Sequence, residues 1–427
     1  MMARLCFSLL CAALLAPAIV LADQPESPSL EDKITTAAGE HSLRLDFAKG
    51  VFFGPAWERL VAEGRNARFF LVGEEHGIAE NPLLVAQLFT ELSQHGYEKL
   101  AIEISPTMAW FLDQALEREG LDGLRELFSE PGGEPAFFGM AEEAQMLAVV
   151  RAVVPAGRSV LWGTDYEVAG DRQLLKLLEQ AEKPAAAEAA LDDLVAASAA
   201  SWAKYEETRS PQYIFSFAGD PALVRAVREA WREPDTWSAV ILNTLEKTLT
   251  VNNLWVQGRA WESNAARADL QRENFLRYWR AEKARGSAPR VMAKYGASHM
   301  VKGLSQTAVF DLGTLLPAIA ELEGGRSFSV MVVPGEGSMI AGLNPSTWSY
   351  EPRPVEGGYL DGIAPLTRAA FDDKFTLIDL VALRPLVGMN RGDLDDELFR
   401  IVHGFDMLLV MTRSTPSGEL IHDAPDQ

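Results

Sequence analysis

Two histidines, His76 and His299, stand in the same short pattern, Gly-x-x-His, as Gly73-Glu74-Glu75-His76 and Gly296-Ala297-Ser298-His299. An imidazole held near carboxylates can take a proton from water, or it can ligate a divalent ion that lowers the pKa of a bound water. Glu74 lies two residues before His76, whereas Glu75 stays undecided because adjacent side chains point in different directions. Glu103 interrupts the apolar run Lys99-Leu100-Ala101-Ile102-Glu103-Ile104, where a charge is costly unless paired or hydrogen-bonded. Asp165 and Glu167 follow the run Ser159 to Gly163, where either could instead cap the next helix. Arg267 and Asn274, seven residues apart, share a helix face and could bind a substrate carboxylate or an oxyanion. A solvated face with Arg272 and Arg277 explains that spacing equally well. Asp165, Glu167, Asn274 and Tyr295 are the candidate substrate contacts. His41, His95, His403 and His422 have no comparable surroundings.

Two histidines with two or three carboxylates also suffice for one divalent ion, with His76, Glu103 and His299 as its ligands. Other chemistries are absent from the sequence. No Gly-x-Gly-x-x-Gly follows a strand, and there is neither a Gly-x-Ser-x-Gly elbow nor a His-Glu-x-x-His helix. What remains is water activated by a histidine, a metal, or both.

The candidate groups need elements that bring them together, and the apolar runs supply these. Arg68 to Val72 reads as a strand covered on both faces, with its charged residues at the carboxyl end. In open α/β sheets ligands bind at that end, because the loops leaving it frame a crevice. Asn81 as N-cap, Pro82, and Leu84, Leu88 and Leu92 at helical spacing predict the helix that follows, with Gly96 closing it. Further strands are predicted at Lys99–Ile104, Ser159–Asp165, Arg290–Tyr295, Ser327–Val333, Phe375–Leu380 and Asp406–Met411. The alternation with helices predicts an α/β fold, a mostly parallel central sheet flanked by helices, with a helical insertion or cap. Residues 46–170 and 286–427 form the two parts of that domain and 171–285 the insertion. Residues 23–45 read as a loosely ordered entry, and 334–358 as long loops near the site.

Residues 1–22 have the pattern of a signal peptide: Arg4, then an apolar stretch from Leu5 to Leu15, then small residues, with cleavage after Ala22. The expected location is periplasmic or secreted, with no stable membrane insertion once the segment is removed. Cys6 and Cys11 are the only cysteines of the 427 residues, so the mature chain would have no thiol chemistry. With 39 Lys+Arg against 60 Asp+Glu the net charge is -21, which disfavours nucleic acid as a partner. A small molecule is the expected partner, and the oligomeric state is not legible.

Taken in order from residue 67 to 415, these motifs resemble the erythromycin esterase family, within a wider superfamily that includes the haem-binding ChaN proteins, the Tiki metalloproteases and the TraB group. The carriers are Gly73-Glu74-Glu75-His76-Gly77, Ala101-Ile102-Glu103, Gly163-Thr164-Asp165, the Arg267 to Asn274 spacing, Gly296-Ala297-Ser298-His299 and Phe405 to Val410. The resemblance implies His76 as general base, Glu74 and Glu103 as its orienting or acid partners, and Arg267 and His299 as stabilisers of the oxyanion. The one-residue spacing between Glu74 and His76 departs from the usual esterase pattern, which has two. The leading expectation is an exported hydrolase of an ester, lactone or amide, its base tuned to a near-neutral pKa. The alternatives are a periplasmic haem or small-ligand carrier, with Tyr295, Tyr166, Met300 and His299 as candidate axial ligands, and a Tiki-like metallopeptidase.

Overall fold

Buried apolar runs become the strands of one nine-stranded sheet in the computed structural model of the chain, which describes residues 28–355 and 357–421. In chain order the strands are β1 (Ser42–Ala48), β2 (Val51–Phe53), β3 (Phe69–Glu74), β4 (Tyr97–Ile102), β5 (Leu161–Gly163), β6 (Arg290–Gly296), β7 (Ser327–Pro334), β8 (Met339–Asn344), β9 (Ser349–Pro354), β10 (Phe375–Asp379) and β11 (Met407–Met411). Their order across the sheet is β2-β1-β10-β11-β7-β3-β6-β4-β5, while β8 and β9 form a separate hairpin. Every pairing from β11 to β5 is parallel, and the three at the other edge are antiparallel. This is the mostly parallel α/β sheet that the sequence predicts.

β3 lies between β6 and β7, with helices on both faces. Phe70 and Val72 enter one apolar core, shared with Leu60, Leu88, Leu112 and Leu147 from four helices; Phe69 and Leu71 enter the other. Burial on both faces is why the run is continuous and not alternating. Each such side chain contributes about 1.5–3 kcal/mol when fully buried. The strand is thereby fixed before it reaches Glu74, whose carboxylate must be offset by partners nearby.

Between β5 and β6 the chain is helical. Helices from Asp171 to Val256 close around their own core, which includes Leu194, Trp202, Phe215 and Leu242. The last helix, Ala260–Ala284, returns to the sheet, where Phe275 and Trp279 meet the Phe69 ring edge-on at 5.8 and 5.3 Å. That packing sets Arg267 beside the carboxyl ends of the strands.

Three local expectations are corrected. Within 23–45, expected to be loose, Leu30–Glu40 is a helix with a Ser29–Asp32 capping box, and the strand that follows it pairs with β10. Ile34 and Ala38 are fully buried, so a narrow apolar stripe holds that helix to the fold. The helix after β3 begins at Glu80, not with Asn81 as its cap; Asn81 lies in its first turn, with its amide bonded to Glu74. Residues 334–358 contain the β8–β9 hairpin, docked by an Ala341 N–H bond to the Gly77 carbonyl. Residues 1–22, read as a signal peptide, and His422 lie outside the described residues. Among the described residues no helix is long and apolar enough to cross a membrane.

Candidate active site

Four strands lying side by side, β3, β6, β4 and β5, each deliver a polar group at or just beyond the carboxyl end: Glu74, the Gly296–His299 turn, Glu103 and Asp165. The two Gly-x-x-His patterns fit against each other. A Cβ at Gly73 would stand 3.0 Å from Ala297 Cα, and one at Gly296 would stand 3.2 Å from His76 Nε2 and 3.4 Å from Glu103 Oε2. Neither glycine has a positive φ, so close approach and not turn geometry requires them. Gly296→Ala is therefore expected to displace the His76 ring and the Glu103 carboxylate in a folded protein. The ring-proton resonances of His76 alongside circular dichroism would check this, and unmoved resonances would contradict it.

Each imidazole is backed at Nδ1 by a carboxylate. His76 Nδ1 lies 2.9 Å from Glu74 Oε1, and His299 Nδ1 lies 2.6 Å from Asp311 Oδ2. Both Nε2 atoms turn toward Glu103: His76 Nε2 is 3.6 Å from Oε2 and His299 Nε2 is 3.3 Å from Oε1. Glu103 itself accepts from the Gly296 N–H and from Arg267 Nη2, each at 2.6 Å. The guanidinium continues to Asp165, whose Oδ2 it meets at 2.6 Å, and the Gln271 amide donates to the same oxygen at 2.8 Å. Phe137 lies flat on the His76 ring with centroids 4.3 Å apart. The imidazoles and Glu103 open on a cleft of about 310 Å³ whose other walls include Glu75, Val301, Ile401 and Phe405.

Negative charge dominates this arrangement. Burial resists charging His76, but the neighbouring Glu103 and Glu74 carboxylates prevail and push the ring up to about 10. His299 is likewise pushed up to about 10: burial and Arg267 oppose its charge, and Glu103 and Asp311 outweigh them. Burial also raises Glu103, yet His299, His76 and Arg267 hold it well below the usual carboxylate range. Both rings are therefore held as imidazolium more strongly than a free histidine. The near-neutral base expected from the sequence is corrected, because each ring faces two carboxylates and not one.

Several predicted contacts lie elsewhere. Arg267 does not line the cleft; with Tyr166 and Glu167 it flanks a smaller cavity of about 40 Å³ on another side of Glu103. Asp165 is buried, with Oδ1 and Oδ2 both bonded to Arg267. Glu167 accepts from the Ser105 hydroxyl at 2.8 Å, and burial pushes it up to about 7. Asn274 donates to the Thr164 carbonyl at 2.9 Å, and the Tyr295 hydroxyl lies 2.6 Å from Thr164 Oγ1. These last two pin the loop after β5 and do not face the cleft. Tyr295 and Met300 are both fully buried away from it, which separates them from any ligand held at His299.

One ligand atom from each of Glu103, Asp165 and His299 falls within 4.8 Å of the others, a spacing compatible with a cation. Arg267 stands among the same groups and already places a positive charge there. The sequence reading missed three residues of the site. Lys294 carried the same signal as Glu103, a charge inside an apolar strand. Asp311 has the form of an ordinary helix cap, since its Oδ1 also accepts from the Leu312 N–H. Phe137 left no signal at all.

Neither a protein-family model nor a curated protein sequence matches the chain. Solved structures do. An erythromycin esterase variant in its open conformation is 16% identical with a TM-score of 0.56, over 86% of this chain and 95% of that one. A Bacillus cereus protein is 14% identical with a TM-score of 0.57, over 92% of this chain and 100% of that one. A succinoglycan biosynthesis protein is 12% identical with a TM-score of 0.57, over 92% and 99%. At such identity the likeness is one of fold: the chain has an erythromycin esterase-like fold along most of its length, in agreement with the resemblance seen in its motifs.

Proposed function

We propose that the chain is an exported hydrolase that adds water to an ester, lactone or amide of a small or medium-sized molecule. The observation that carries this reading is the pair of carboxylate-backed imidazoles whose Nε2 atoms flank one charged carboxylate in an open cleft. At 3.6 Å from Glu103 Oε2, beyond a direct hydrogen bond, His76 Nε2 is left to accept from a water in the cleft. Neutral His76 takes the proton of that water as its oxygen attacks the carbonyl carbon. Imidazolium His299 donates toward the oxyanion. The bond to the leaving oxygen or nitrogen then breaks, and His76 returns its proton to that atom. Glu74 and Asp311 hold the rings by Nδ1, and Arg267 holds Glu103 from outside the cleft. Because Arg267 supplies the positive charge behind Glu103, the donor set fits a resident metal ion poorly, and turnover is expected to survive chelators.

The test is a panel of p-nitrophenyl esters, lactones and anilides with the wild type and Glu103→Gln, each treated with and without EDTA. Turnover by the wild type that resists EDTA and falls about 100- to 1000-fold in a folded Glu103→Gln is the expected result. Undiminished turnover in Glu103→Gln would end the proposal.

A further inference from the structure

Behind His76 and Glu74 lie two buried charged side chains, Lys294 and Glu143, that the hydrolytic reading does not use. Lys294 is the fifth residue of the run Arg290-Val291-Met292-Ala293-Lys294-Tyr295 and is 1% exposed. An ammonium at that depth persists only where carboxylates meet it. Two do: Glu74 Oε1 at 2.5 Å and Glu143 Oε1 at 2.6 Å, while the Phe138 ring stands 5.5 Å from Nζ.

Glu74 Oε1 is also the atom that meets His76 Nδ1. One oxygen therefore accepts from Lys294 and from the imidazole, and the other, Oε2, accepts from the Asn81 amide. The carboxylate has no freedom left to rotate, and the ring it holds inherits that rigidity. Glu143 comes from the helix Ala141–Ala152 and is 2% exposed. Its second oxygen is buried with no hydrogen-bond partner, so Lys294 is the contact that keeps this side chain in place. Burial and the nearby Glu74 push the Glu143 carboxyl up to about 7 against the pull of Lys294. The row His76, Glu74, Lys294, Glu143 thus alternates basic and acidic groups across β3, β6 and a helix on one face of the sheet.

We propose that Lys294 is a positioning residue for the reaction at His76, with Glu143 as its buried anchor: together they lock Glu74 onto Nδ1 and so aim Nε2 into the cleft. This rests on the hydrolase reading. A purely structural role predicts something different. Buried charge clusters can be exchanged for apolar groups of similar volume with little loss of stability, so Lys294→Met/Glu143→Leu would then behave as the wild type. As a positioning pair, the same exchange leaves the fold standing and loosens the ring.

The experiment compares Lys294→Met, Lys294→Met/Glu143→Leu and Lys294→Arg, each also in a His76→Asn background, with p-nitrophenyl acetate as probe. Thermal unfolding and the far-downfield Nδ1 proton resonance of His76, assigned by its loss in His76→Asn, are recorded alongside. The double variant is expected to unfold near the wild-type temperature, to lose about 10- to 100-fold in kcat with little change in KM, and to shift or lose that resonance. Lys294→Arg is expected to recover part of kcat, and none of the changes should add to the loss in His76→Asn. A folded double variant with wild-type kcat, or with an unmoved resonance, overturns the inference; so does an undiminished further loss in His76→Asn. If His76→Asn itself keeps full turnover, it is the hydrolase reading that fails, while the resonance still decides what Lys294 does to the ring.

Discussion

Replacing His76 by asparagine is expected to lower kcat/KM by about 100- to 10,000-fold, the usual contribution of a general base, and to flatten the pH profile. Asparagine is the instructive choice because its amide still donates to Glu74 while offering no titrating nitrogen to the water. In the wild type the base form is scarce at neutral pH, since Glu103 and Glu74 overcome burial and push the ring up to about 10. Turnover of the wild type should therefore climb from pH 7 toward pH 10. Stability should move the other way. His76 binds its proton more tightly folded, at about 10, than unfolded, at the ordinary 6.5. Its contribution is fully present below pH 6.5 and is lost as pH rises from there through 10. One proton thus produces a rising activity and a falling melting temperature over the same range, and both slopes should shrink in His76→Asn. His299, pushed up similarly by Glu103 and Asp311 against burial and Arg267, supplies the part of the stability slope that remains. A wild-type profile flat from pH 7 to 10, with turnover retained in His76→Asn, would contradict the assignment.

The sequence made the meeting of His76, Glu103 and His299 legible because each follows an apolar run, and in a parallel sheet all such runs end on one edge. It did not reveal that β6 is inserted between β3 and β4, which is what brings imidazoles 223 positions apart into one cleft. Adjacency of strands is a tertiary property, and no local pattern carries it. The same limit applies to the helix Ala260–Ala284, where the spacing of Arg267 and Asn274 reads equally as a solvated face with Arg272 and Arg277 until Phe275 and Trp279 dock it on Phe69. Lys294 was a different kind of miss. The cost of a buried charge that singled out Glu103 applied to it without change, but its partners Glu74 and Glu143 come from two other elements, and a lysine at a strand is easily read as an edge residue. At the amino end, residues 30–48 show the converse: their polar composition concealed a helix held by two buried side chains.

Arg267→Met should be the most destabilising single change at the site. The arginine bridges Glu103 and Asp165, two carboxylates that are about nine-tenths or more withdrawn from solvent as side chains, and is itself only 23% exposed. Removing one partner of a buried pair leaves the other charge desolvated and uncompensated, a loss of about 3–5 kcal/mol. Methionine replaces much of the volume, so the deficit measures charge and hydrogen bonding more than packing. Arg267→Lys restores a cation but not the fork that spans Asp165 Oδ2 and Glu103 Oε1, and it should recover only part of the loss. The deficit in the methionine variant should be smaller at pH 5 than at pH 8, because a carboxylate without its cation takes up a proton more readily and is then cheaper to bury. Urea unfolding at the two pH values would measure both quantities, and Glu103→Gln/Arg267→Met separates them further. With one carboxylate neutralised, the double variant should be more stable than Arg267→Met alone. If instead Arg267→Met costs under about 1 kcal/mol, the value of an exposed pair, then the guanidinium is not what keeps Glu103 charged, and the positive charge behind Glu103 must come from the imidazoles or from a bound cation.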